Sequence, residues 1–281
     1  MFEFHNISTK NKEYVDTKEK YAHELKNFEK YAEDLTNKAG KAIKGSQKAS
    51  SYKRSLVRLI IGYKLNFNET IETLEDFETY KKLLKITELK GFKEFNKSTN
   101  HFYSATIGCL LSYLTSLNSI NEDEVDLLLN NPYPNQETNN LINFGESEVK
   151  KVKRKNKKLV HNKLYYPRNY NESLRAKINS NWQCEYDENH KTFINEWDRN
   201  PHVEAHHLIP MAAQSLYDLS IDFSENIVSL CPNCHRRIHH AVNKDKKEML
   251  EYFFNNRKDI YSERGIDITL KELYRMYGIL R

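Results

Sequence analysis

The sequence predicts an α+β protein that is mostly α. A helical N-terminal domain spans residues 1–131, a linker spans 132–160, and a second domain with short strands and C-terminal helices spans 161–281. Three observations predict this. In the first part, apolar residues recur at steps of three and four within a charged background. That periodicity stops at "NNPYPNQETNN", whose prolines and asparagines favour turns, and a basic run follows. Beyond it, short apolar runs bounded by turn formers carry most of the histidines and cysteines. A chain of 281 residues suits two domains, each able to bury its own core.

The helices follow in order. Tyr14, Tyr21, Leu25, Phe28, Ala32 and Leu35 share one face of a single long amphipathic helix that ends near Gly40 or Gly45. "YKRSLVRLIIGYKL" and "TLEDFETYKKLLKI" are the second and third helices. Tyr103, Ile107, Leu110, Leu114 and Leu117 mark the fourth. A last one starts at the N-cap Asn121 and carries Val125, Leu128 and Leu129. Such stripes need no more than a helical core to explain them. The first helix is also suited to pair with a second copy, which would make a homodimer. Cys109 lies between Ile107 and Leu110, where a core residue is expected.

A net charge of +5 is mild, but its distribution is uneven. Lys150, Lys151, Lys153, Arg154, Lys155, Lys157 and Lys158 form one dense run. It reads as a solvated linker or as a contact to a phosphate backbone. Four cysteines in this length do not make a disulfide scaffold, so a reducing cytoplasm is expected. The N-terminus "MFEFHNISTK" lacks the apolar core of a signal peptide. The most apolar stretches, "SLVRLIIGY" and "YSATIGCLLSYL", are too short and interrupted to cross a bilayer. A soluble protein with no membrane partner is expected.

In the second domain a short helix around "ESLRAKI" precedes two strands, "TFI" and "VEAHH", joined by the turn-rich "NEWDRNPH". A helix around "MAAQSLYDL", the segment "IVSL", a helix "HRRIHHAV" and two amphipathic helices, "KKEMLEYFFNNR" and "TLKELYRMYGI", complete it.

The chemistry lies here. Cys231 and Cys234 have the Cys-x-x-Cys spacing of half a tetrahedral zinc site. Cys184 is the third thiolate, and no second cysteine follows it. His190 and Asp187 are the candidates for the fourth ligand, with His190 favoured because neutral imidazole partners zinc thiolates better than carboxylate does. His235 and His239 lie four apart, which on a helix places both on one face, ready to hold a cation. That spacing alone is common on surfaces; a third ligand raises its value. His206 and His207 project to opposite sides of a strand end, so one joins the metal and the other stays free as a base. A base beside a metal suits phosphodiester hydrolysis, with His207 taking a proton from water. Asn226 can brace its loop by hydrogen bonds, and Arg236 and Arg237 can reach phosphate oxygens.

These residues, "VEAHHLIP…ENIVSLCPNCHRRIHH", resemble the HNH endonuclease motif, the ββα-metal fold of bacterial restriction enzymes and colicin DNase domains. The resemblance covers roughly Cys184 to His240; the first 150 residues match no motif. It implies that His206, His235 and His239 hold a catalytic divalent metal (Mg²⁺, Mn²⁺, Ni²⁺ or Zn²⁺). His207 is then the general base, and Asn226 the middle letter of the motif. Glu204 matches an acidic residue near the active site in some members. The missing first-pair cysteine departs from the common pattern. The implied protein is a double-stranded DNA endonuclease with a structural zinc, acting in restriction or phage defence. Lys153, Arg154, Lys155, Lys157, Arg236 and Arg237 are its candidate DNA contacts. A homing or mobile-element nuclease, and a non-catalytic zinc-knuckle DNA-binding protein, are the alternatives. The second of these has no need of His207 or Asn226.

Overall fold

A computed structural model describes residues 7–38, 47–119, 150–160 and 163–280. The chain is mostly helical with small two-stranded sheets, as the α+β reading expects. It divides into two compact units, residues 1–117 with 274–281, and residues 118–273. The expected division kept 161–281 together; here the last eight residues cluster with the first unit.

The first unit holds α1 (Lys12–Lys20), α2 (Ala22–Lys38), α3 (Lys48–Phe67), α4 (Phe77–Glu88), α5 (Phe92–Ser98) and α6 (Phe102–Asn118). Asn11 caps α1 by accepting the Glu13 N–H at 2.8 Å, and Asp76 caps α4 by accepting the Glu78 N–H at 3.0 Å. The single long first helix is in fact two. Tyr21 departs from helical geometry (φ −108°, ψ 24°), with its ring buried and its hydroxyl donating to the Ile71 carbonyl. A tertiary contact thus breaks a helix that periodicity alone would continue. The short α5 was not expected from the sequence. It starts after Gly91, whose φ of +99° suits a residue without a Cβ. The helix expected from Asn121, the end of the first helix near Gly40 or Gly45, and residues 132–149 of the linker lie outside the described residues.

Leu25, Phe28 and Ala32 of α2, Leu56 and Leu59 of α3, and Ile107, Leu110 and Leu114 of α6 are buried, so the predicted stripes do face the core. Phe28 meets Tyr113 edge-on at 5.8 Å. Cys109 is fully buried, and burial pushes its thiol up to about 12, as fits an inert core residue. Gly108 leaves room for the Arg275 guanidinium, which donates to the Ser104 carbonyl at 3.4 Å. That contact ties residues 274–281 to α6 within this unit.

In the second unit the basic run is not a free linker. Val152 accepts from the Ser220 N–H at 2.7 Å, Arg154 N–H donates to Asp218 at 3.0 Å, and Lys153 bridges Leu219. An extended segment offers unpaired backbone groups, and residues 218–220 satisfy them. A hairpin follows, β1 (Lys158–Val160) with β2 (Lys163–Tyr165), then α7 (Tyr170–Asn179). Next come β3 (Glu204–His207), 3₁₀ turns at Met211–Leu216 and Ser224–Asn226, β4 (Ile227–Leu230), α8 (Pro232–His240), α9 (Asn243–Asn255) and α10 (Lys258–Glu263); α11 (Leu270–Met276) begins in this unit and its last residues belong to the first.

The partner of β3 is β4, not "TFI". The antiparallel register pairs Glu204 with Leu230, Ala205 with Ser229, His206 with Val228 and His207 with Ile227. Every residue of β4 is buried, whereas Phe193 and Ile194 are exposed and make only one bridge, Ile194 to Pro201. The buried apolar strand wins the pairing because it brings its own side of the core. Helix α7 packs on this sheet through Ala176, against Ala205 and Ile227. No described helix is long and apolar enough to cross a membrane.

Candidate active site and metal centres

Two groups of potential metal ligands converge in the second unit, one of thiols and one of imidazoles. Cys184, His190, Cys231 and Cys234 offer ligand atoms that all lie within 4.8 Å of one another. The local sequence explains the geometry. Cys231 is the N-cap of α8, its sulfur accepting the Cys234 N–H at 3.4 Å, and Pro232 takes the first helical position, where no N–H is needed. Cys184 is held beside them by its neighbour: Glu185 N–H donates to the Ser229 carbonyl at 2.9 Å, and the Glu185 carboxylate accepts the Ser229 N–H at 2.7 Å.

The fourth member is His190 rather than Asp187. His190 Nδ1 lies 3.3 Å from Cys234 Sγ and 3.6 Å from Cys231 Sγ. Asp187 stands behind it, 3.4 Å from Nε2, and its other oxygen accepts from Asn189. A carboxylate on the outer nitrogen fixes the ring and leaves the inner lone pair for a metal. The thiols also fit a cation. A hydrogen bond from Cys234 holds the Cys184 thiol well below its ordinary range, while burial pushes Cys231 up and the bond to Cys184 pushes Cys234 up. Three sulfurs this close favour one thiolate among themselves; a cation is what lets all three ionise. The cluster is thus suited to a structural metal such as zinc.

The second group is His206, His235 and His239. His239 Nε2 lies 3.1 Å from His206 Nδ1 and 3.2 Å from His235 Nε2. The spacing of four on α8 puts His235 and His239 on one face, and β3 brings His206 across from them. Burial, then the neighbouring imidazoles, lower the His206 pKa well below the usual range, so the ring stays neutral, the form that binds metal. Glu204 accepts from His235 Nδ1 at 2.7 Å, which leaves the Nε2 lone pair pointing inward. That hydrogen bond holds the Glu204 carboxyl below its ordinary range. Three imidazole nitrogens converging from two elements make a donor set that fits a divalent cation.

The remaining predicted residues fall into two sets. His207 points away from the trio, as alternation on a strand requires; its Nε2 is 2.9 Å from Asp222 Oδ1, and both side chains are buried. Asn226 is fully buried. Its Oδ1 accepts from the Ile209 N–H (2.9 Å) and the Tyr261 hydroxyl (3.0 Å), and its Nδ2 donates to the Ile209 (3.1 Å) and Ile221 (2.8 Å) carbonyls. Two acceptor and two donor positions are filled, so Asn226 is a brace with no capacity left for a substrate. Glu204 likewise orients a histidine. Of the six candidate DNA contacts, Lys153, Lys155, Lys157 and Arg236 are exposed. Arg154 and Arg237 are half-buried and have partners within the protein. Arg154 donates to the Ser215 carbonyl at 3.2 Å, while Arg237 lies over the Tyr186 ring at 5.2 Å and 3.6 Å from Glu248.

Sequence reasoning missed Asp222 and His202. His202 stacks on Phe193 at 4.6 Å and lies 3.7 Å from Glu204, behind the Glu204–His235 bond. Neither residue carries a spacing signal, because both reach the site through tertiary contacts. It also missed Lys177, buried on α7, whose ammonium burial pushes down to about 8 while Asp198 and Glu204 hold it up.

Two predictions follow from this geometry. Cys231→Ser removes a thiolate from the folding-coupled cluster; the protein should lose bound zinc by elemental analysis and show a lower melting temperature for this unit. His190→Ala should do the same in milder form, and Asp187→Ala should retain the metal with weaker affinity. Zinc retained by His190→Ala and lost by Asp187→Ala would reverse the two. Asn226→Ala strands the Ile209 and Ile221 groups and the Tyr261 hydroxyl in the interior. It should destabilise the unit by about 2–4 kcal/mol in urea unfolding. A change within about 0.5 kcal/mol would contradict its role as a brace.

Comparison with known proteins bears on the same chain. No protein-family model and no solved structure matches it. Over 59 residues it is 41% identical to the type IV methyl-directed restriction enzyme EcoKMcrA of Escherichia coli (strain K12). The match takes in 21% of this chain and 19% of that protein's length, so what is shared is one short segment, and its likeness is to a restriction enzyme.

Proposed function

We propose that the protein is a metal-dependent DNA endonuclease acting in restriction, and that the unit built on β3, β4 and α8 is its HNH-type catalytic module. The observation that carries this reading is the split of the paired histidines. His206 turns to His235 and His239, and His207 turns to Asp222, on the other side of the same strand. A protein that only bound DNA through a zinc knuckle would need the thiol cluster but neither of these arrangements. The short identity to a methyl-directed restriction enzyme supports the biological setting.

The residues divide the work as follows. A divalent cation held by the imidazole trio would neutralise the charge that develops on the phosphate during hydrolysis. His207 takes a proton from water, the water oxygen attacks phosphorus, and the P–O3′ bond breaks with its electron pair on O3′, which is protonated by solvent. Burial keeps His206 neutral, and Glu204 keeps the His235 lone pair directed at the metal position. Asn226 fixes the segment after β3 to the loop before β4, and so fixes where the base stands.

The test is cleavage of supercoiled plasmid DNA, with and without 5-methylcytosine, in Mg²⁺, Mn²⁺, Ni²⁺ and Zn²⁺. The wild type should cleave at least one DNA in at least one metal. His207→Ala should lower the rate about 10²–10⁴-fold while DNA binding persists, and His235→Ala should be inactive. DNA binding with no cleavage in any combination would sink the enzyme reading and favour the binding module.

The docked basic segment gives a second prediction. Lys153, Lys155 and Lys157 are exposed along a segment whose backbone is docked at residues 152–154, a form that suits tracking a phosphate backbone. Changing the three to Gln should flatten the log–log salt dependence of duplex binding by about 2–3. Arg154→Gln should instead lower thermal stability and leave the slope alone. An unchanged slope in the triple variant would remove this segment from the DNA interface.

A further inference from the structure

Resting on that nuclease reading, we propose that Asp222 is the positioning residue of the general base: its carboxylate holds the His207 ring in place and selects the tautomer whose lone pair lies on Nδ1. Nothing in the spacing of the motif residues points to it. The carboxylate is buried, and each oxygen has a fixed partner. Oδ1 lies 2.9 Å from His207 Nε2, and Oδ2 accepts the Asn169 N–H at 2.6 Å. The loop that presents it is itself held. Asp222 N–H donates to Ser220 Oγ at 3.2 Å, Ile221 N–H donates to Gln214 Oε1 at 2.9 Å, and the Ile221 carbonyl accepts from Asn226. A side chain with this support is preorganised.

The chemistry follows from what each atom can do. An ionised carboxylate only accepts hydrogen bonds. Facing Oδ1, Nε2 must therefore carry the ring's hydrogen, and the lone pair is left on Nδ1. In the hydrolysis, the proton leaving water bonds to Nδ1 as the water oxygen bonds to phosphorus; the P–O3′ bond breaks with its electron pair on O3′, which takes a proton from solvent to become the 3′ hydroxyl. The ring is then a cation, with its Nε2–H already bonded to a negative carboxylate, so the charge it acquires is stabilised where it forms.

The Asn169 contact makes the inference testable with one conservative change. In Asp222→Asn the side chain must keep its oxygen toward the Asn169 N–H, because two donors cannot face each other. Its NH₂ then faces His207 Nε2 and can only donate, so the ring hydrogen is driven to Nδ1. Shape and both hydrogen bonds survive while the tautomer is reversed. The equivalent exchange in a serine-protease triad costs about 10⁴ in kcat.

The full-length protein is compared as wild type, Asp222→Asn and Asp222→Glu, on the plasmid and metal that the wild type cleaves. Asp222→Asn should lose at least about 10²-fold in kcat. Its KM, zinc content and melting temperature should stay near wild type, a split that a purely structural role would not produce. Asp222→Glu, which restores a carboxylate, should recover part of the rate. Independently of activity, the imidazole ¹⁵N shifts of His207 should report Nε2–H in the wild type and Nδ1–H in Asp222→Asn. A wild type that cleaves DNA while Asp222→Asn keeps kcat within about threefold, or a wild-type His207 protonated on Nδ1, overturns the assignment. A wild type that cleaves nothing and yet shows the Nε2–H tautomer leaves the Asp222–His207 pairing standing and sinks the nuclease reading instead.

Discussion

The antiparallel pairing of β3 with β4 is the constraint on which both sides of the site depend. Only four residue pairs make it, yet it sets the direction of every side chain on β3. Side chains alternate along a strand, so a register that sends His206 toward α8 must send His207 the other way. A slip by one residue would exchange the two imidazoles and leave the trio without its third nitrogen. The register is pinned at both ends. Glu185 clamps Ser229 opposite Ala205, and the Asn226 backbone carbonyl accepts the Leu208 N–H at 2.8 Å just past His207. Ala176, Ala205 and Ile227 then seat α7 on the sheet. The small alanines let helix and strand approach closely, and burial of this face disfavours the slipped register.

On that frame, electrostatics does what backbone geometry cannot. Burial, reinforced by the neighbouring imidazoles, keeps His206 an uncharged ligand. Carboxylates act from the outside. Glu204 on His235, Asp187 on His190 and Asp222 on His207 each face one ring nitrogen of a histidine. The same device appears three times in one small unit because an imidazole has two nitrogens, and a task at one is specified by a partner at the other.

Much of this was legible in the sequence, and the boundary has a physical cause. Cys231, Cys234, His235 and His239 could be read because their relations are local: cap, helix turn, and i,i+4 face. His206 and His207 could be read because alternation is local too. The pairing of β3 with β4 instead of "TFI" could not, since it depends on which strand brings a buried face from twenty residues away. Tyr21 breaks the first helix through a hydrogen bond to Ile71, a contact fifty residues distant that no periodicity reveals. Arg154 and Arg237 look like free cations in a basic stretch, but half-buried guanidiniums find carbonyls, rings and carboxylates before they find solvent. Asp222 lies in a loop with no motif around it, and only folding brings it to His207.

Helix α8 joins the two candidate centres into one device. Cys231 caps it, Cys234 lies in its first turn, His235 follows directly, and His239 stands one turn on. A metal at the thiol cluster would therefore fix the start and the axial rotation of the helix on which two of the three imidazoles stand. The free energy of that binding is folding free energy, because the ligands are not gathered in the unfolded chain. The order of the imidazole trio would then be supplied in advance, and little would be left for a cation held there to organise. On the proposed hydrolysis this accounts for a chemical division along the helix: thiolates would bind tightly where the helix must be anchored, and imidazoles would bind more loosely where a cation has to accept phosphate oxygens and release them. A Cys at position 235 or 239 would bind its metal more firmly and add negative charge beside the phosphate, against the needs of the proposed hydrolysis.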